Sequence, residues 1–319
     1  MNIAFGPVPS RRLGRSLGIN NIPPKICTYS CVYCQLGRTL TMSVNRQAFY
    51  KQEKVIRSVY DKVAKARASD EAVDYLTFVP DGEPTLDLNL AAEISALREL
   101  NIPIAVISNA SLIWREGVRH DLMGADWVSL KVDAVQEPTW RRINRPQAKL
   151  DLHRILDGIQ TFSGVFKGEL ATETMLVKGV NDDDANLRET ARFLGEIQPK
   201  VAYLAIPTRP PAEEWVRPAQ EDQIYQAYHL FKEQVDQVEL LLGYEGNAFA
   251  STGDAEQDLL SITAVHPMRE DAVEQLLTKA GANRDLVEGL IRQDKLVEIS
   301  YGGRRFYLRR IAIPKNRAD

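Results

Sequence analysis

From residue 75 to residue 242, short apolar runs alternate with longer amphipathic stretches, and few folds accept that pattern. Residues 75–79 (YLTFV) read as a buried strand. A helix follows at 87–100, with Leu88, Leu90, Ile94 and Leu97 at helical spacing. Further strands are expected at 104–108, 126–132, 170–177, 201–206 and 238–242, and helices at 112–123, 151–162, 184–196 and 219–235. The run Asn181-Asp182-Asp183 is a strong start signal for the third of these helices. Residues 16–22 (SLGINNI) supply an earlier strand that ends just before Pro23-Pro24. Strands separated by helices of ten or more residues make βαβ units and a parallel sheet. Roughly six units fit before residue 250, fewer than a closed eight-fold barrel needs. The expected fold class is therefore α/β, a partial, open (β/α)6 barrel. Its active site belongs at the carboxyl ends of the strands.

All three cysteines fall on the loop after the first of these strands, as Cys27, Cys31 and Cys34. Three thiolates on one short loop can hold three irons of a [4Fe–4S] cluster, and the fourth iron then keeps an open position for a small molecule. An odd count, with no cysteine elsewhere, argues against a disulfide framework. Structural zinc would need a fourth ligand; the nearest histidine in sequence, His120, is 86 residues from Cys34.

The C-x3-C-x2-C spacing resembles the signature of the radical S-adenosylmethionine (radical SAM) superfamily. The resemblance extends to Tyr33, in the aromatic slot before the last cysteine, which is implied to lie near the adenine. Asp81-Gly82-Glu83-Pro84, directly after strand 75–79, resembles the superfamily's GGE-type motif: Gly82 lets backbone approach the ligand and Glu83 accepts from the SAM ammonium. Ser108-Asn109-Ala110-Ser111 resembles a third segment, with Asn109 near the ribose or carboxylate, or capping the following helix. Lys131 and Asp133 share one side of a strand, so Lys131 either meets the SAM carboxylate or forms an internal ion pair with Asp133. Met175, in the run Thr172–Asn181, is offered to the adenine or to the core. Arg145, Arg209 and the group Arg11, Arg12 and Arg15 are further candidate anion partners. As a set these motifs most resemble the wyosine-forming tRNA enzymes and their relatives. Those tRNA enzymes carry additional N-terminal cysteines for a second cluster, and this chain has none. The resemblance implies reductive cleavage of SAM to a 5′-deoxyadenosyl radical that takes hydrogen from an unidentified substrate. It also implies an external one-electron donor such as flavodoxin or ferredoxin.

After residue 253 the pattern changes. Two short helices, 269–280 and 283–293, precede a hairpin with a Gly302-Gly303 turn. This resembles a winged helix, so the expected domains are a core at 1–252 and a small α+β winged-helix-like domain at 253–319. The hairpin alternation predicts Phe306 and Leu308 in the core and a free face bearing Arg305, Tyr307 and Arg309. That face, with Arg304, Arg310, Lys315 and Arg317, suggests an anionic partner, either nucleic acid or protein. Charge weighs against strong duplex binding: residues 256–319 hold eleven Lys and Arg against ten Asp and Glu, and the whole chain is at −3. The alternatives to a radical SAM enzyme are an iron–sulfur regulator that binds nucleic acid through its winged helix, and a tRNA-base-modifying enzyme of the wyosine type. The N-terminus lacks a long apolar core, and no stretch is long enough to span a bilayer, so a cytoplasmic protein with no membrane contact is expected.

Overall fold

The expected strands assemble into one curled sheet. The computed structural model describes residues 3–243, 249, 254–264 and 266–310. Strands β1 (Ala4–Ser10) and β2 (Gly14–Ile19) lead into a long loop that holds the two-residue pair β3 (Ile26–Cys27) and β4 (Thr41–Met42). β5 (Tyr75–Phe78), β6 (Ile104–Ser108), β7 (Trp127–Lys131), β8 (Glu169–Met175), β9 (Val201–Ala205) and β10 (Val238–Leu241) complete the sheet in the order β1-β2-β5-β6-β7-β8-β9-β10. From β2 to β10 every neighbouring pair is parallel; β1 is antiparallel to β2. Six helical crossovers therefore link seven parallel strands.

The curl follows from one contact. β1 and β8 stand five places apart, about 24 Å in a flat sheet at ordinary strand spacing. Yet Arg12, in the turn between β1 and β2, pairs with Glu173 of β8, and Leu13 packs with Ala171 and Tyr203. The sheet wraps around these side chains and remains open between β1 and β10.

Helices α1 (Gln52–Ala68), α2 (Leu90–Leu97), α3 (Glu116–Leu122), α4 (Glu137–Asn144), α5 (Leu152–Val165), α6 (Asp184–Ile197) and α7 (Glu221–Lys232) cover the outer face. Asp151 and Asp183 cap α5 and α6 by accepting from the backbone N–H three residues on. Besides the two-residue strands, three elements are not expected from the sequence pattern. β1 carries Pro7 and Pro9, which give no N–H to a ladder; it is tolerated because it lies at the sheet edge. α1 buries only the stripe Val55, Val59, Val63 and Ala66 of an otherwise polar surface. α4 is eight residues long and begins with Pro at its first turn.

The C-terminal portion runs α8 (Ala255–Thr263), β11 (Met268–Arg269), α9 (Glu270–Lys279), α10 (Arg284–Arg292), β12 (Leu296–Tyr301) and β13 (Arg304–Arg309). Its sheet order is β11-β13-β12, and Gly302 and Gly303 make the turn at positive φ. Leu259, Ile262, Met268, Leu276, Leu290 and Tyr307 form its own core. The expectation of a free hairpin face is corrected here. Tyr307 is buried in that core, while Phe306 on the opposite face is buried as well. Arg305 is paired with Glu270 and Arg309 donates to the Leu260 carbonyl. The portion is fastened to the barrel: Lys279 and Arg15 both pair with Glu71, Lys62 pairs with Asp258 at 3.5 Å, and Phe5 packs on Ala264. Lys315, Arg317 and the expected boundary at 252/253 lie outside the described residues. Among those described, no helix is long and apolar enough to cross a membrane.

Candidate active site

The carboxyl ends of the parallel strands surround a cavity of about 290 Å³. Cys31 and Cys34 line it, together with Tyr33, Gly82, Glu83, Asn109, Lys131 and Met175. Cys27 adjoins the lining residue Asn109, whose side-chain amide approaches its Sγ at 3.5 Å and donates to Thr28 Oγ1 at 2.8 Å. A second amide does the same for Cys31: Asn144 Nδ2 lies 3.4 Å from its Sγ and donates to Asp133 at 2.7 Å. The cysteine loop is thus held from the end of β6 and from the last residue of α4. Burial pushes the Cys27 thiol well above its ordinary range, and the neighbouring Cys31 and Glu83 charges add to this. Burial and Asp133 push Cys31 up to about 12, and burial raises Cys34. A thiolate here needs a cation as partner.

Gly82 is required by space. A Cβ at this position would sit 1.9 Å from the Ile26 carbonyl oxygen, and φ is +154°. The strand-end turn therefore lies directly against the cysteine loop, and Glu83 N donates to the same carbonyl at 3.3 Å. Glu83 is 1% exposed. Its Oε1 accepts from Thr85 N (3.1 Å), Thr85 Oγ1 (2.6 Å) and Ser108 Oγ (2.8 Å), and its Oε2 from Asn109 N (2.7 Å). A carboxylate has about four acceptor sites, two on each oxygen. Three of the four donors crowd Oε1 and only one reaches Oε2, so Oε2 keeps an acceptor site that can take an ammonium. Burial raises the Glu83 pKa, and these donors oppose it.

Lys131 forms an internal ion pair while lining the cavity. Its Nζ lies 2.9 Å from Glu173, directly across the β7–β8 register, 3.4 Å from Asp133 and 4.8 Å from the Tyr33 ring centre. Tyr33 donates to Asp133, and Arg12 pairs with Glu173 from the other side. Burial alone would raise Glu173, but Lys131 and Arg12 hold it down at about 2. The lumen thus carries a chain of alternating charge, Arg12–Glu173–Lys131–Asp133, ending at the aromatic residue of the cysteine loop.

Among the arginines weighed from sequence, Arg11, Arg12 and Arg209 line the cavity. Arg145 does not; it pairs with Glu213 at 2.6 Å, as does Arg38 at 2.9 Å. Arg15 is engaged with Glu71. Arg209 is buried and donates to Gln35, the neighbour of Cys34, at 2.7 Å, and stands 2.9 Å from Nε2 of His266. Burial and Arg209 hold His266 well below its usual range. The roles of Asn144 and His266 were not read from sequence. Asn144 lies 113 residues from Cys31 and His266 lies 57 from Arg209, so neither contact shows in local spacing.

Among the described residues no three His, Cys, Asp or Glu are grouped to hold one metal ion. A [4Fe–4S] cluster makes a different demand, since each thiolate goes to its own iron. The residues present suit that demand. Three thiols share one loop, two are approached by amide donors that favour thiolate, and a side-chain-free turn at Gly82 leaves backbone beside them.

A radical SAM superfamily profile matches residues 21–194. A UPF0026 protein of Methanocaldococcus jannaschii is 46% identical over 313 residues, 98% of this chain and 97% of its own. A solved radical SAM methyltransferase from Sphaerobacter thermophilus superposes with a TM-score of 0.56 at 15% identity, over 71% of this chain and 66% of that one. TYW1 with a lysine–pyruvate adduct bound superposes at 0.52 and 17% identity, over 69% of this chain and 74% of that one. At these identities the likeness to both structures is one of fold, the partial barrel.

Proposed function

The chain belongs to the radical SAM superfamily, whose enzymes use a [4Fe–4S] cluster and SAM, and on that premise we propose that Cys27, Cys31 and Cys34 ligate three irons of such a cluster and leave the fourth for SAM. The observation that carries the reading is convergence: the cysteine loop and four strand-end motifs meet at one cavity. When bound, cluster and SAM together supply reductive cleavage of SAM and a 5′-deoxyadenosyl radical that takes hydrogen from substrate.

The chain's own residues have distinct tasks in this reading. Asn109 and Asn144 fix the sulfurs of Cys27 and Cys31. Glu83 takes the SAM ammonium on its remaining acceptor site, beside the backbone of Gly82. Lys131, already neutralised by Glu173 and Asp133, offers its cationic head to the SAM carboxylate. Tyr33 and Met175 give the adenine an apolar surface. The core spans residues 1–252. The order helix, short strand, two helices and hairpin supports a winged-helix-like domain at 253–319. The reading also calls for an external one-electron donor of the flavodoxin or ferredoxin kind and for a reducing, cytoplasmic setting, which suits free thiolates.

The test is turnover without substrate. Anaerobically reconstituted protein, reduced with dithionite in the presence of SAM, should release methionine and 5′-deoxyadenosine in equal amounts. Intact SAM after prolonged reduction of a cluster-loaded preparation would overturn the assignment.

A further inference from the structure

A second, larger cavity of about 860 Å³ lies between the C-terminal hairpin and the loops after β9 and β10. That volume is within the range of small-molecule sites. Ile206, Pro207, Thr208 and Gly243 line both this cavity and the one that holds Cys31 and Cys34, so the two share one wall and adjoin along it. The hairpin is pinned to that wall, because the Tyr301 hydroxyl donates to the Pro207 carbonyl at 3.1 Å. A second tie runs from the same loop through buried Arg209, which joins Gln35 beside Cys34 to His266 after α8.

The lining has a consistent chemistry. Leu242, Ile299 and Phe306 give apolar surface, while Arg217, Arg269 and Arg304 face one carboxylate, Glu214. Asp271 stands 2.9 Å from Arg269, which leaves the balance positive. Arg217 donates to the Val216 carbonyl at 2.8 Å, a contact that orients its guanidinium and cancels none of its charge.

We propose that this cavity is the substrate site, and that it takes a small organic anion with an apolar body. The proposal rests on the radical SAM reading of the adjoining cavity, which supplies the reason for a substrate to lie against that shared wall. The hairpin contributes Ile299, Tyr301, Arg304 and Phe306 to the site. The C-terminal portion therefore completes the active site, in place of the macromolecular partner expected from its hairpin arginines.

The probe is 8-anilinonaphthalene-1-sulfonate, an organic anion with an apolar body, titrated by fluorescence into the full-length, cluster-loaded protein. Wild type should bind one equivalent, more weakly as salt rises. Arg304→Glu should weaken binding by at least about tenfold, since it replaces attraction with repulsion. Ser300→Trp, which fills the cavity from an exposed position, should abolish it. The uncharged analogue N-phenyl-1-naphthylamine should bind wild type less tightly than the sulfonate. Equal binding of the sulfonate by wild type, Arg304→Glu and Ser300→Trp would overturn the proposal, as would equal affinity for the uncharged analogue. Release of 5′-deoxyadenosine by the same wild-type preparation reports on the radical SAM reading by itself, so the two ideas fail separately.

Discussion

Replacing Cys27, Cys31 or Cys34 with alanine is expected to reduce the iron content of anaerobically reconstituted protein to background and to end SAM cleavage. In the proposed reading each cysteine supplies one of three protein ligands, and the sequence has no other cysteine to take its place. The substitutions should leave the fold standing. The three residues lie on the loop after β2 and contribute little to the main core, in which Cys27 and Cys31 are only peripheral. Removing a thiol whose ionised form is disfavoured by burial costs the apo protein little. Far-ultraviolet circular dichroism and thermal melting of the apo variants check this half. An alanine variant that keeps a full iron complement would remove that cysteine from the ligand set.

Glu83→Ala is expected to have the second large effect, and not on SAM alone. The sequence reading assigns Glu83 to ligand binding, so its loss would leave the fold nearly untouched. The geometry argues for more. Four donors converge on this buried carboxylate, from Thr85, Ser108 and the Asn109 backbone. Deleting it leaves buried backbone N–H groups without an acceptor, at about 1–3 kcal/mol each. The melting temperature should therefore fall along with SAM affinity. Glu83→Gln separates the two effects, because it keeps the volume and one acceptor but loses the charge. It should cost about 1.5–3 kcal/mol of SAM binding, the value of a hydrogen bond to a charged group. That corresponds to roughly 10–100-fold in Kd. Isothermal titration of cluster-loaded protein measures it, and an unchanged Kd would make Glu83 a purely structural residue.

The barrel was legible because its strands are buried on both faces and read as unbroken apolar runs, such as Ile104–Ser108 and Val201–Ala205. Sheet order followed from chain order once the crossovers were helical. What was missed has local causes. Two prolines disguised β1, and the four small apolar residues of α1 are diluted among charges. In the hairpin, alternation placed Phe306 and Tyr307 on opposite faces correctly, but it could not show that both are buried, Tyr307 in the core that α8–α10 form. The site divides in the same way. Residues inside a motif, such as Gly82 and Tyr33, could be singled out from sequence, and both line the cavity. Contacts between distant positions could not: Asn144 reaches Cys31 across 113 positions, and Arg209 meets His266 across 57. Such pairs exist only after the sheet has curled. Lys131 illustrates the middle case, since its spacing to Asp133 was visible while the third partner, Glu173, comes from the next strand.

The central claim is that three cysteines on one loop hold a cluster with an open iron. The most direct measurement is the iron and acid-labile sulfide content of the wild-type protein after anaerobic reconstitution, taken with its visible absorbance. About four irons and four sulfides per chain are predicted, with a broad absorbance that bleaches on reduction. Bound zinc in their place, with no visible absorbance after the same treatment, would contradict the account.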